Sequence, residues 1–130
     1  MSSFTSKLDY KLIGKDSKGR KLYELTRAVT YCVGSLEDPF WTVTAPVGFK
    51  TDLATIPWPF RLIFRPNGSY APAAVIHDYL LQMYHSNKGT TFSRLVIDAI
   101  FYEAMLVLGV NRLTASIFYY AIRLYANLTD

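Results

Sequence analysis

Few residues in this chain can hold a soft metal or form a cross-link: one cysteine, Cys32, and two histidines, His77 and His85, stand among 130 positions. A single thiol excludes an intramolecular disulfide and any cysteine-rich zinc site, and it favours a reducing compartment. Charge is sparse too, with 14 basic and 10 acidic residues and a formal net charge of +4. The densest basic cluster, Lys15, Lys18, Arg20 and Lys21, falls in a stretch whose glycines and polar residues read as a solvated hairpin loop, so no strong nucleic-acid signal is present. No basic segment followed by an apolar core opens the sequence, and no signal peptide is expected. The longest apolar run, Leu95 to Val110, is interrupted by Asp98 and Glu103 and is too short to cross a bilayer comfortably. Ser69, Ser93 and Ser116 lack a Gly-x-Ser-x-Gly setting and Cys32 has no neighbouring histidine, which argues against nucleophilic catalysis.

What is present is apolar. Hydrophobic residues make up 51% of the chain and aromatics 15%, enough for one compact domain over residues 1–130 of a soluble protein made inside the cell. Residues 1–6 are polar and expected to be loose. Leu8–Ile13 and Lys21–Thr26 alternate apolar and polar around the glycine-bounded loop, and Ala28–Val33, Phe40–Thr44 and Phe49–Thr51 carry β-branched and aromatic residues. Residues 7–52 are therefore expected to be mainly β, an antiparallel sheet of four or five strands. Residues 53–130 read as mainly α. Thr55–Phe64 suggests a loop entering a short helix, with Pro66–Ser69 as a turn. Three main helices follow: one from Pro72 to about Ser86, one capped by Thr90 or Thr91 and ended by Gly109, and one from about Asn111 to Ala126. Sheet first and helices second gives an α+β fold, the sheet packed against three helices.

Four polar residues occupy places where apolar ones would bury more easily: Asp52 at a strand end, His77 and Asp78 in the first long helix, and Asp98 in the next. At about 100° per residue, Ala73, Leu80, Leu81 and Tyr84 lie within about 60° of His77, which puts the imidazole on the core-facing stripe and Asp78 at its edge. Asp98 shares a face with Arg94, Phe101, Tyr102 and Met105. Glu103 lies about 140° away, and one of the two acids is expected to face water. His85 follows Asp78 on its face but roughly 10.5 Å along the axis, too far to share an ion with it.

A charge on such a stripe is costly unless it is paired, hydrogen-bonded or metal-bound. In one arrangement Asp98 accepts the His77 N–H and fixes its tautomer, so that the other ring nitrogen takes a proton from water. Asp78 and Asp52 then hold a divalent cation, calcium, magnesium, manganese or zinc. In the other, His77, Asp98 and Arg94 form a satisfied buried network in a non-enzymatic protein. Trp58, Phe60, Phe64, Phe118, Tyr119, Tyr120 and Tyr125 read as core or interface packing, and Tyr119 and Arg123 could line a groove for a partner or a second copy.

Gly48-Phe49-Lys50-Thr51-Asp52-Leu53-Ala54-Thr55-Ile56-Pro57, Gly68-x-Tyr70, Ala73-Ala74-Val75-Ile76-His77-Asp78-Tyr79-Leu80 and Asp98-x-x-Phe101-x-x-x-Met105-x-x-x-Gly109-Val110 together resemble the phage and prophage family catalogued as domain of unknown function 1353. The resemblance covers roughly residues 28–125. It implies a phage or prophage product, found in the bacterial host cytoplasm or the virion, with phage structural proteins or itself as partners. It also singles out Asp52, His77, Asp78 and Asp98 together. Locally the His-Asp helix is similar to that of secreted phospholipases, which implies His77 as the base, Asp98 as its orienting partner and Asp78 as a cation ligand. The chain departs from that pattern in lacking disulfides and a glycine-rich calcium loop, and in having Leu81 where a tyrosine is usual. The phosphohydrolases named for their His-Asp motif look similar over the same dipeptide, but they need an upstream histidine and none precedes His77.

Overall fold

Period-two alternation in the first fifty residues builds short antiparallel strands, and the apolar stripes after Tyr70 build helices. The computed structural model describes residues 2–5, 7–17, 19, 21–35, 37–51, 70–86 and 92–129. Asp52, the short helix expected over Thr55–Phe64, the turn at Pro66–Ser69, the stops at Asn87 and Gly89, and the caps at Thr90 and Thr91 all lie outside the described residues. The strands are β1 (Ser3–Phe4), β2 (Tyr10–Lys15), β3 (Lys21–Leu25), β4 (Val29–Val33), β5 (Trp41–Ala45) and β6 (Lys50–Thr51). The helices are α1 (Ala71–His85), α2 (Arg94–Val107) and α3 (Arg112–Thr129). The class is α+β.

The strands form two three-stranded antiparallel sheets rather than one, in the orders β1-β4-β5 and β2-β3-β6. A bend at Thr26 and Arg27 separates β3 from β4. The free edge of β3 then pairs with β6, where Tyr23 opposes Thr51. The N-terminal residues expected to be loose contribute β1, because Phe4 stacks on Tyr31 at 4.7 Å and the Thr5 N–H donates to the Thr30 carbonyl. The Gly34 N–H donates to the Ser2 hydroxyl at 2.8 Å, so side-chain and backbone bonds hold the segment on the strand edge together with the aromatic contact. On β5, Val43 and Ala45 point inward and Thr42 and Thr44 outward, the alternation of a sheet with one face in the core.

The core cluster draws on Leu25, Val29, Tyr31, Val43 and Ala45 from the strands and continues through Ile76, Leu80, Ile97, Phe101, Met105, Phe118 and Ile122 of the helices. α1 lies between β4 and β5 on one side and α2 on the other. Its first half is consequently buried nearly all round, with Ala73, Ala74, Val75 and Ile76 fully enclosed. Small residues there let the helix approach the sheet closely. α2 begins one turn later than the threonines suggest: the Ser93 hydroxyl accepts the Val96 N–H at 3.2 Å, a side-chain cap for an otherwise orphaned donor. Gly109, at φ +88°, supplies the left-handed residue that ends α2. Asn111 caps α3 through the Thr114 N–H, and α3 runs beyond Ala126 to Thr129. No helix among the described residues is long and apolar enough to cross a membrane.

Candidate functional site

α1 presents His77 from the centre of its buried half. Pro72 sits in its first turn, where a missing N–H leaves no hydrogen bond unmade, and the Ala74 N–H donates to the Tyr70 carbonyl. The imidazole packs on the Phe101 ring of α2 at 4.7 Å between centroids and is 1% exposed. Its Nε2 lies 2.7 Å from Asp98 Oδ1, across the α1–α2 interface. Asp98 is itself fully buried. The Arg94 Nε, one turn earlier on α2, donates to Oδ1 at 3.3 Å, and the Arg123 Nη1 of α3 donates to Oδ2 at 2.8 Å. One carboxylate thus ties three helices together.

The chemistry of this cluster follows from its charges. Burial pushes the Asp98 carboxyl up, but the His77 hydrogen bond, the bond from Arg123 and the charge on Arg94 outweigh it and hold the group below the ordinary carboxylate range. Asp98 is therefore ionised. Burial pushes the His77 imidazole down; the Asp98 hydrogen bond and charge oppose this and Arg94 adds to it, and the net shift is downward. A neutral imidazole facing an ionised carboxylate must donate, because the carboxylate only accepts. The proton then sits on Nε2 and the lone pair on Nδ1.

Of the four expected site residues, His77 and Asp98 meet directly. Asp78 follows His77 on α1 and is half-buried. Asp52 lies outside the described residues, but β6, which leads to it, approaches α1 beside Asp78. Phe49 meets the Tyr79 ring edge-on at 5.4 Å, and Gln82 Nε2 reaches the Lys50 carbonyl at 3.5 Å. Both oxygens of Asp98 are engaged by nitrogen donors, so Asp98 suits an orienting role and not a cation ligand. Among the described residues no three carboxylate, imidazole or thiol groups converge on an ion-sized site.

Of the two acids of α2, Asp98 is buried and Glu103 is the one that keeps partial exposure to water. Glu103 accepts the Tyr31 hydroxyl of β4 at 2.6 Å. Burial and that bond push the Tyr31 phenol well above its ordinary value, while the Ser2 hydroxyl pulls the other way. Arg123 is the partner the residue patterns missed. Its place between the buried Ile122 and Ala126 was a usable signal, since a guanidinium at the edge of a core stripe needs an anion.

No curated protein and no solved structure matches this chain. A family model described as "Protein of unknown function (DUF1353)" matches residues 23–122, from β3 into α3 and through all four candidate residues. The chain belongs to that family.

Proposed function

We propose that this protein, a phage or prophage product, is a small hydrolase of an ester or phosphoester that works with a divalent cation. The observation that carries the reading is the 2.7 Å bond from His77 Nε2 to an ionised Asp98 itself held by two guanidiniums. That bond fixes the tautomer, and Nδ1 is the nitrogen that takes a proton from the attacking water. Asp98 orients His77 and compensates the imidazolium that forms. Asp78 and Asp52 hold the cation, which supplies polarisation of the carbonyl or phosphoryl oxygen. The approach of β6 to the Asp78 turn of α1 supports that pairing.

The test uses the full chain freed of metal, with p-nitrophenyl esters and bis-p-nitrophenyl phosphate as probes and calcium, magnesium, manganese or zinc added in turn. Turnover and a rise in melting temperature with one of the ions are expected, with both lost in Asp78→Asn. Absence of both responses with all four ions sinks the proposal.

The near-complete burial of His77 and Asp98 favours a second reading, a non-enzymatic virion or accessory protein in which the cluster is a structural tie. In that case Asp98→Asn lowers the melting temperature and Asp78→Asn leaves it unchanged with or without ions.

A further inference from the structure

α3 is apolar on two faces. Ala115, Phe118, Ile122 and Ala126 turn inward, as a core-facing stripe should. Leu113 (72% exposed), Ile117 (38%), Tyr120 (70%), Leu124 (57%) and Leu128 (76%) form a second stripe on the outer face. The spacing of its first four members, four, three and four residues, is that of a coiled-coil seam. At about 100° per residue the five lie within roughly 80° of arc. Beside this ridge is a hollow of about 350 Å³ between α2 and α3, lined by Ala99, Tyr102, Ser116, Tyr119 and Tyr120.

We infer that this face joins two copies of the chain, α3 packing antiparallel on α3 of the second copy about a two-fold axis near Phe118 and Tyr119. Three observations select that occupant. A ridge with an adjoining hollow is the self-complementary surface an isologous dimer needs, side chains of one copy entering the hollow of the other. The area is of the right order. The five side chains, 38–76% exposed, present on the order of several hundred Å² of apolar surface per copy, the upper end of what a monomer leaves uncovered, and two such faces together reach about the lower bound of a standard interface. Charge argues against an anionic membrane and sets the direction. α3 has no acidic residue and only two cations, Arg112 and Arg123, and Arg123 is spent on Asp98. It therefore lacks the basic flank that grips an anionic membrane. Parallel pairing would set two Arg112 side chains together, whereas antiparallel pairing puts them at opposite ends. The antiparallel register sets Leu113 opposite Leu124 of the second copy and Ile117 opposite Tyr120.

Sedimentation equilibrium of the full chain tests this. The expected mass is twice that of the monomer, falling to the monomer value in Leu124→Glu with an unchanged far-UV spectrum. Leu113→Cys and Leu124→Cys proteins should cross-link when mixed and oxidised and not when oxidised separately; Cys32 is buried and serves as the internal control. A monomer at all concentrations overturns the inference. So does a dimer indifferent to Leu124→Glu, self-cross-linking of either variant alone, or a monomer that instead binds anionic vesicles.

Discussion

Asp98 concentrates the polar energetics of the molecule in one side chain. Removing it in Asp98→Ala takes the shared anion away from two guanidiniums and a buried imidazole, and breaking a buried pair of this kind costs about 3–5 kcal/mol. Urea unfolding should show a lowered midpoint with an unchanged slope. The same cluster sets the acid limb of stability. His77 is held below 6.5 and Asp98 below 3.8 in the folded protein, so for both groups the unfolded chain binds protons more readily. Stability is present above these values, and it falls as pH drops below about 6.5 and again below about 3.8. The lower limb should vanish in Asp98→Asn, a comparison that thermal melts from pH 7 to pH 3 would make. Tyr31 runs the opposite way. Its folded-state value is raised, so its contribution is lost as pH rises above about 10. Tyr31→Phe leaves Glu103 without its 2.6 Å donor and should cost about 1–3 kcal/mol. A double-mutant cycle with Glu103→Ala should return a coupling of about 0.5–3 kcal/mol, and a cycle that closes at zero would refute the pairing.

At the scale of elements, the helices are set by short-range signals and aimed by long-range ones. Ser93 starts α2, and Ser93→Ala should lower stability by about 1 kcal/mol, read from the denaturation midpoint; a null effect would mean that another group takes over the Val96 N–H. α1 shows the opposite dependence. Its N-terminal residue Tyr70 makes no side-chain cap bond, and its position follows from burial between the sheet and α2. Periodicity placed His77, Ala73 and Leu80 on the inward stripe, and they are there. The same counting left Val75 and Ile76 off it, because a one-sided stripe is the wrong template for a helix covered on two sides.

For the whole molecule, the shared core joins both sheets to all three helices, and a single cooperative unfolding transition is the expected outcome. Helix ellipticity and the fluorescence of Trp41, read in a Trp58→Phe background, should give coincident urea curves, since Trp41 of β5 packs on Phe92 just before α2 at 4.9 Å. Separated curves would mean that the strands and helices are independent units.

Local pattern fixed the class and the order of elements, because period-two and period-3.6 burial is written into neighbouring residues. It also made Asp98 a candidate partner for His77, since a charge on a core stripe has few ways to be tolerated. It did not find Arg123, 25 residues beyond Asp98, or the Tyr31–Glu103 bond across 72 residues. Nor did it divide the strands into two sheets or dock Phe4 on β4. Those outcomes depend on which surfaces meet once the chain has collapsed, and for such meetings the spacing along the chain carries no signal. The sequence alone determined that the polar groups of α1 and α2 needed partners. Only the tertiary structure decided which ones, because at each edge of the core the nearest complementary charge in space wins, wherever it lies in the chain.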